Sequence, residues 1–184
     1  MIYSRPDKPM RASYGLPLVS EPKLELKETV EPVYVDKGTE AHITPQAQAE
    51  LMVDYLGLFV GCSVLEPSAG TGNLIKALMD HGDYEITAVE MNYSLFNTFC
   101  DWEGIKAFQG DFLLHEGKYD RVIMNPPFRQ CKKHVTHAFS LLKEDGILVA
   151  LVPSNFEMGQ ELETFSGDTF ASTKVFTKLI MLEK

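Results

Sequence analysis

Along the chain, apolar residues recur first at helical and then at strand spacing, and this alternation begins near Ile43. Leu51, Met52, Tyr55, Leu56 and Phe59 repeat at helical spacing. Thr44-Pro45 offers a hydroxyl for the N-cap and proline for the first helical position, and Gly61 marks the end. Ser63-Val64-Leu65 reads as a short buried strand, and Leu74, Ile75 and Leu78 line one face of the helix after it. Glu85 to Glu90 is a second strand, followed by a helix marked by Leu95, Phe96 and Phe99. Ile105 to Gln109 and Tyr119 to Met124 are the third and fourth strands. Val135, Ala138, Phe139 and Leu142 predict a helix stopped by Gly146, Ile147 to Val152 a fifth strand, and Val175 to Leu182 a final, antiparallel one. Strands alternating with helices imply a largely parallel sheet covered on both faces, with ligands at the carboxyl ends of the strands.

The first 38 residues have a different texture. Five of the ten prolines fall here (Pro6, Pro9, Pro17, Pro22, Pro32), and no helical or strand period is sustained. They are read as an arm (1–38) preceding a single domain (39–184). At 184 residues, 45% hydrophobic and 23% charged, the chain has the size and composition of one soluble globular domain. No apolar run approaches a membrane span, so no membrane role is expected. Three widely spaced cysteines suggest neither a disulfide framework nor a four-cysteine zinc site, and a reducing cytoplasm is the expected location. The net charge of −9 counts against a protein that covers much duplex DNA.

Candidate chemistry falls at consecutive strand ends. Glu66-Pro67-Ser68-Ala69-Gly70-Thr71-Gly72 is a glycine-rich turn between strand and helix, continued by Asn73, and it lacks the third glycine of the dinucleotide fingerprint. Glu90, followed by Met91, ends the next strand at the distance where an acid can accept from ribose hydroxyls. Asp111-Phe112 follows the third strand and offers an adenine one carboxylate and one aromatic face. Asn125-Pro126-Pro127-Phe128 ends the fourth strand. Two prolines stiffen the backbone and remove two donors, which leaves an amide, a carbonyl and an aromatic ring presented together. Such a bracket suits an NH2 group on a flat ring or an amide, with the Asn125 oxygen and Pro126 carbonyl each accepting one N–H. Arg129, Lys132 and Lys133 beside it are candidates for phosphate contacts. Cys131, His134 and His137 stand three apart on a predicted helix; such positions spread around its axis, no fourth ligand is evident, and no metal site is read.

Together these motifs resemble the S-adenosylmethionine-dependent amino-methyltransferases, in particular the N6-adenine DNA methyltransferases. The resemblance covers about residues 44–184. It implies a doubly wound, Rossmann-like α/β methyltransferase fold with a mostly parallel seven-stranded sheet and an antiparallel C-terminal strand. It also implies S-adenosylmethionine as cofactor. Thr44-Pro45 is similar to the family's N-terminal motif on the methionine part of the cofactor. Glu66, Gly70 and Gly72 match the first cofactor motif, Glu90 the ribose contact, Asp111-Phe112 the adenine contact, and Asn125 to Phe128 the catalytic tetrapeptide. Phe170, in Phe-Ala-Ser-Thr-Lys-Val, matches the position of a second aromatic against the flipped base. The implied reaction is methyl transfer to N6 of adenine in DNA. These enzymes normally add a target-recognition region, yet only about thirty residues follow Val152. Either specificity is slight, or the arm, a partner subunit or a second copy of the chain supplies it. RNA adenine and protein glutamine methyltransferases share the tetrapeptide and are the alternatives, together with a catalytically silent binding protein of the same fold.

Overall fold

The computed structural model describes residues 43–166 and 175–184; the proline-rich arm, its boundary with the domain, and Phe170 lie outside the described residues. Helix α1 (Gln46–Tyr55) precedes β1 (Ser63–Glu66), α2 (Asn73–His81) and β2 (Glu85–Glu90). A short α3 (Tyr93–Phe96), β3 (Ile105–Gln109), β4 (Tyr119–Met124) and α4 (Cys131–Ser140) follow. The described chain closes with β5 (Leu142–Pro153), β6 (Gln160–Phe165) and β7 (Thr177–Glu183). The seven strands form one mixed sheet in the order β3-β2-β1-β4-β5-β7-β6. β1 to β5 are parallel, and β7 runs antiparallel to both β5 and β6.

Strand alternation explains why both faces are dry. Val64, Ile123, Val149, Leu151 and Leu179 point to one side, where α1 and α2 bring Met52, Leu56, Ile75 and Leu78. Their neighbours Leu65, Val122, Met124, Leu148, Ala150, Val152 and Ile180 point to the other, under Val135 and Ala138 of α4. Every second residue feeds a different core, so these strands read as unbroken apolar runs.

Several boundaries differ from the sequence reading. α1 begins one residue later than expected: Pro45 occupies the N-cap position, and its carbonyl accepts from the Gln48 and Ala49 amides at 3.1 and 3.0 Å. The helix ends near Leu56, where Gly57 takes φ +56°, rather than at Gly61. α3 is a single turn capped by Asn92, whose side chain accepts from the Ser94 and Leu95 amides. α4 ends at Ser140, and Leu142 already belongs to β5, paired with Tyr119 across an irregularity in the ladder. β6 was not visible as a strand. Its sequence, Gln-Glu-Leu-Glu-Thr-Phe, is polar because it lies at the sheet edge, and a register shift between Glu161 and Glu163 breaks its alternation.

Candidate active site

β1 feeds β2 and β3 on one side of the sheet, whereas β4 and β5 lie on the other, so the strand order reverses between β1 and β4. In open α/β sheets the crevice outside the carboxyl ends at such a reversal is where ligands bind. The glycine-rich turn leaves β1 at this point, and Asn125 follows β4, the strand paired directly with β1.

Two buried acids shape the turn. Glu66 is wholly buried, and its Oε1 accepts from the Ser68 amide at 2.8 Å. Its Oε2 is buried and has no hydrogen-bond partner among the described residues. Burial, only partly offset by the Ser68 bond and reinforced by the charge of Glu90, pushes its carboxyl up to about 8. Glu90 accepts from the Gly70 amide through Oε2 at 2.8 Å and from the Asn92 amide through Oε1 at 2.7 Å. Burial raises its pKa, against those backbone hydrogen bonds. The Ser68 and Gly70 amides of the turn are thus spent on carboxylates, and those of Ala69 and Gly72 on backbone carbonyls. A pyrophosphate would meet two acids here, whereas a ligand carrying cationic and hydroxyl groups would meet acceptors with lone pairs to spare.

The glycines are required for different reasons. Gly70 has φ +56°, and among the described residues a Cβ there would meet only the Ser68 carbonyl oxygen, at 4.0 Å. Gly72 has φ +87°, and a Cβ there would lie 3.0 Å from the Trp102 ring and 3.3 Å from Phe99. Trp102, the only tryptophan of the chain, therefore backs the turn. It falls in a turn after α3, outside any periodic segment, and only its rarity marked it in the sequence.

Thr44 links the two halves of the crevice. It is 5% exposed, and its carbonyl accepts from Asn73 Nδ2 at 3.0 Å. Asn73 Oδ1 in turn accepts from the Thr71 hydroxyl at 3.0 Å. The Thr44 hydroxyl, expected to cap α1, instead accepts from Asn125 Nδ2 at 3.0 Å. Pro45 is half-buried beside it, and Pro67 is buried within the turn. The Asn125 amide is oriented by a residue 81 positions earlier, a relation that no local pattern carries.

After Asn125, Pro126 is buried and Pro127 half-buried; the Pro127 carbonyl accepts from the Gln130 amide at 3.0 Å and starts the 3-10 turn Phe128–Gln130. That carbonyl is occupied, and the Pro126 carbonyl takes no hydrogen bond among the described residues. Phe128 is half-buried at this end of the bracket.

Each remaining candidate has its own surroundings. Phe112 is 3% exposed and packs in the α4 core, its ring 4.9 Å from His137 and 5.5 Å from His134. The aromatic face expected to receive an adenine is turned inward, because the 3-10 turn Phe112–Leu114 directs it under α4. Asp111 caps that turn, its Oδ1 accepting from the Leu113 amide at 2.9 Å. Met91 is 67% exposed; its carbonyl accepts from Gln109 Nε2 at 2.9 Å, and its amide donates to the Glu90 carboxylate. Arg129, Lys132 and Lys133 stand outside the crevice, in a groove of about 830 Å³ along α4. Among the described residues no group of three His, Cys, Asp or Glu side chains is placed to hold a metal ion. No described helix is long and apolar enough to cross a membrane.

No protein-family model and no curated protein sequence matches this chain. Solved structures do. A class I S-adenosylmethionine-dependent methyltransferase of Listeria monocytogenes, described as putative, aligns with TM-score 0.67 and 16% identity over 82% of this chain and 62% of its own. The fold is that of the S-adenosylmethionine-dependent methyltransferases. A putative RNA methyltransferase of Pyrococcus horikoshii gives 0.63 and 19% over 78% of this chain and 84% of its own. A dimethyladenosine transferase of Plasmodium falciparum gives 0.64 and 13% over 78% and 63%. This methyltransferase fold therefore spans less than two thirds of the Listeria and Plasmodium chains and most of the archaeal one.

Proposed function

We propose that the chain is an S-adenosylmethionine-dependent methyltransferase acting on the exocyclic N6 of adenine in DNA. The observation that carries this reading is the Thr44-held amide of Asn125 at the end of β4, next to the acid-lined glycine turn at the end of β1. The residues fit the cofactor. The orphaned Glu66 Oε2 offers an acceptor to a cationic amino group, Glu90 offers lone pairs to ribose hydroxyls, and Gly70 leaves room for close approach. Thr44, Pro45, Pro67, Ser68, Gly72, Asn73 and the Asp111 region complete that side. Bound there, S-adenosylmethionine supplies a methyl group on a positively charged sulfur.

The chain's own contribution is positioning. An adenine amino nitrogen is a weak nucleophile because its lone pair is delocalised into the ring. Accepting one N–H at Asn125 Oδ1 and the other at the Pro126 carbonyl favours a tetrahedral nitrogen with its lone pair aimed at the methyl. The N–C bond forms as the methyl's bond to sulfur breaks, and the surplus proton leaves the nitrogen for water. Because Thr44 fixes the amide through its nitrogen, the acceptor oxygen is set before substrate arrives, which is where such a displacement gains its rate. Phe128 and, in this reading, Phe170 stack on the base, which in duplex DNA must first leave the helix stack at a cost of a few kcal/mol.

The test is to incubate the protein with methyl-labelled S-adenosylmethionine and unmethylated DNA, then digest to nucleosides. Label in N6-methyldeoxyadenosine is the expected result. Label only in RNA or only in protein glutamine, offered in parallel, would replace the DNA assignment. Cofactor binding without labelling of any polymer would mark a silent binding protein.

A further inference from the structure

The groove along α4 has features the crevice does not explain. α4 buries Cys131, His134, Val135 and Ala138 on one side. The opposite stripe, Lys132, Lys133, Thr136, His137 and Ser140 at helical spacing, lines the groove together with Arg129 from the preceding turn. None of its described lining residues is acidic, on a chain of net charge −9. The other described lysines are engaged. Lys76, Lys106, Lys143 and Lys178 form ion pairs, and Lys118 and Lys184 donate to backbone carbonyls at the end of α4. Among the described lysines, only Lys132 and Lys133 do neither.

Position completes the picture. Arg129 is four residues after Asn125, within about 14 Å even for a fully extended chain. α4 then leads from the carboxyl end of β4 to the start of β5, against the strand direction, over roughly 15 Å. The cations therefore cluster at the first turn of α4, just after the methyl-acceptor bracket, and the groove continues from them past Thr136, His137 and Ser140. A duplex presents two charged strands and calls for a broad basic face. A narrow cationic groove that follows one backbone is the device of single-strand binders.

We infer that this groove binds about three consecutive phosphates of unpaired DNA, one for each of Arg129, Lys132 and Lys133, so that the enzyme takes its adenine from a single-stranded segment. The inference rests on the adenine-DNA reading for its direction but is measured without methyl transfer. A fluorescein-labelled single strand of about a dozen nucleotides containing adenine is titrated with the full chain, and binding is followed by anisotropy at several salt concentrations. With about three phosphates neutralised, log K falls with log salt at a slope of about −2. The duplex of the same sequence binds at least tenfold more weakly. Lys132→Gln/Lys133→Gln loses about tenfold in affinity and flattens the slope by about 1.4, while Lys132→Arg/Lys133→Arg restores both. The melting temperature and S-adenosylmethionine affinity of each variant stay at wild-type values, which separates loss of the groove from loss of the fold. A Gln variant with unchanged affinity and slope overturns the inference, as does a duplex bound as tightly as the single strand. Binding that depends on Lys132 and Lys133 without methylation of any DNA would support the groove and remove the adenine-methylation reading.

Discussion

Glu66 and Asp120 lie on neighbouring paired strands at opposite ends of the sheet, and the domain treats the two acids in opposite ways. Asp120, at the amino end of β4, is saturated. Its Oδ2 accepts from the Ser63 amide at 2.8 Å, the Ser63 hydroxyl at 2.7 Å and Lys143 Nζ at 2.9 Å. Desolvation works against the charge there, yet Lys143 and Ser63 outweigh it and hold the carboxyl down at about 2. Glu66, at the carboxyl end of β1, has one partnered oxygen and, among the described residues, one bare oxygen and no cation, and is pushed up to about 8. The amino end of the sheet spends its polar groups on one another and gains stability. The carboxyl end holds acceptors unspent, which costs stability and keeps them for a ligand.

The largest effect on this contrast is expected at Gly72. Gly72→Ala forces a Cβ into positive φ and into Trp102, costing about 3 kcal/mol in a denaturant melt as left-handed strain and overpacking add. Asp120→Ala comes next, at about 2 kcal/mol, with cofactor affinity unchanged because the lesion lies at the far end of the sheet. The sign of its pH dependence follows from a folded-state pKa below the ordinary carboxylate value. The stabilisation is complete above about pH 4 and is lost as pH falls through about 2, so acid melts of wild type and variant should converge there.

Thr44→Val should cost about tenfold in transfer rate, or about 1.4 kcal/mol, by leaving the Asn125 amide nitrogen without its acceptor. Thr44→Ser, which keeps the hydroxyl, should recover the rate at unchanged cofactor affinity. Glu66→Gln has the smallest effect at pH 5, within about 0.5 kcal/mol. The folded chain keeps the Glu66 proton while the unfolded chain releases it, so wild-type stability declines as pH rises from about 4.5 to about 8. The Gln variant should lack that decline, which pH-resolved thermal melts would show.

How much of this was legible in the sequence depended on whether the information was local. β1 to β4 were readable because buried parallel strands are short apolar runs bounded by turn residues. The places of Glu66, Gly70, Glu90 and Asn125 at the carboxyl ends of strands were readable because each ends or directly follows such a run. β6 was hidden by its polar edge position, and the true end of α4 by Leu142, whose apolar side chain continues the helical period into a strand. The inward turn of Phe112 depends on α4 arriving over it, and the bond from Asn125 to Thr44 spans most of the domain; neither leaves a trace in a window of sequence. Local chemistry could name the groups of the site but not which of them hold one another in place.

The central claim is that Asn125 orients an amino group for methyl transfer at the carboxyl end of the sheet. Single-turnover transfer to adenine-containing DNA by Asn125→Ala tests it most directly, with S-adenosylmethionine affinity followed in the same samples through the fluorescence of Trp102, which backs the cofactor turn. A loss of at least a thousandfold in rate with affinity within about threefold of wild type is predicted. Transfer at the wild-type rate would contradict the account.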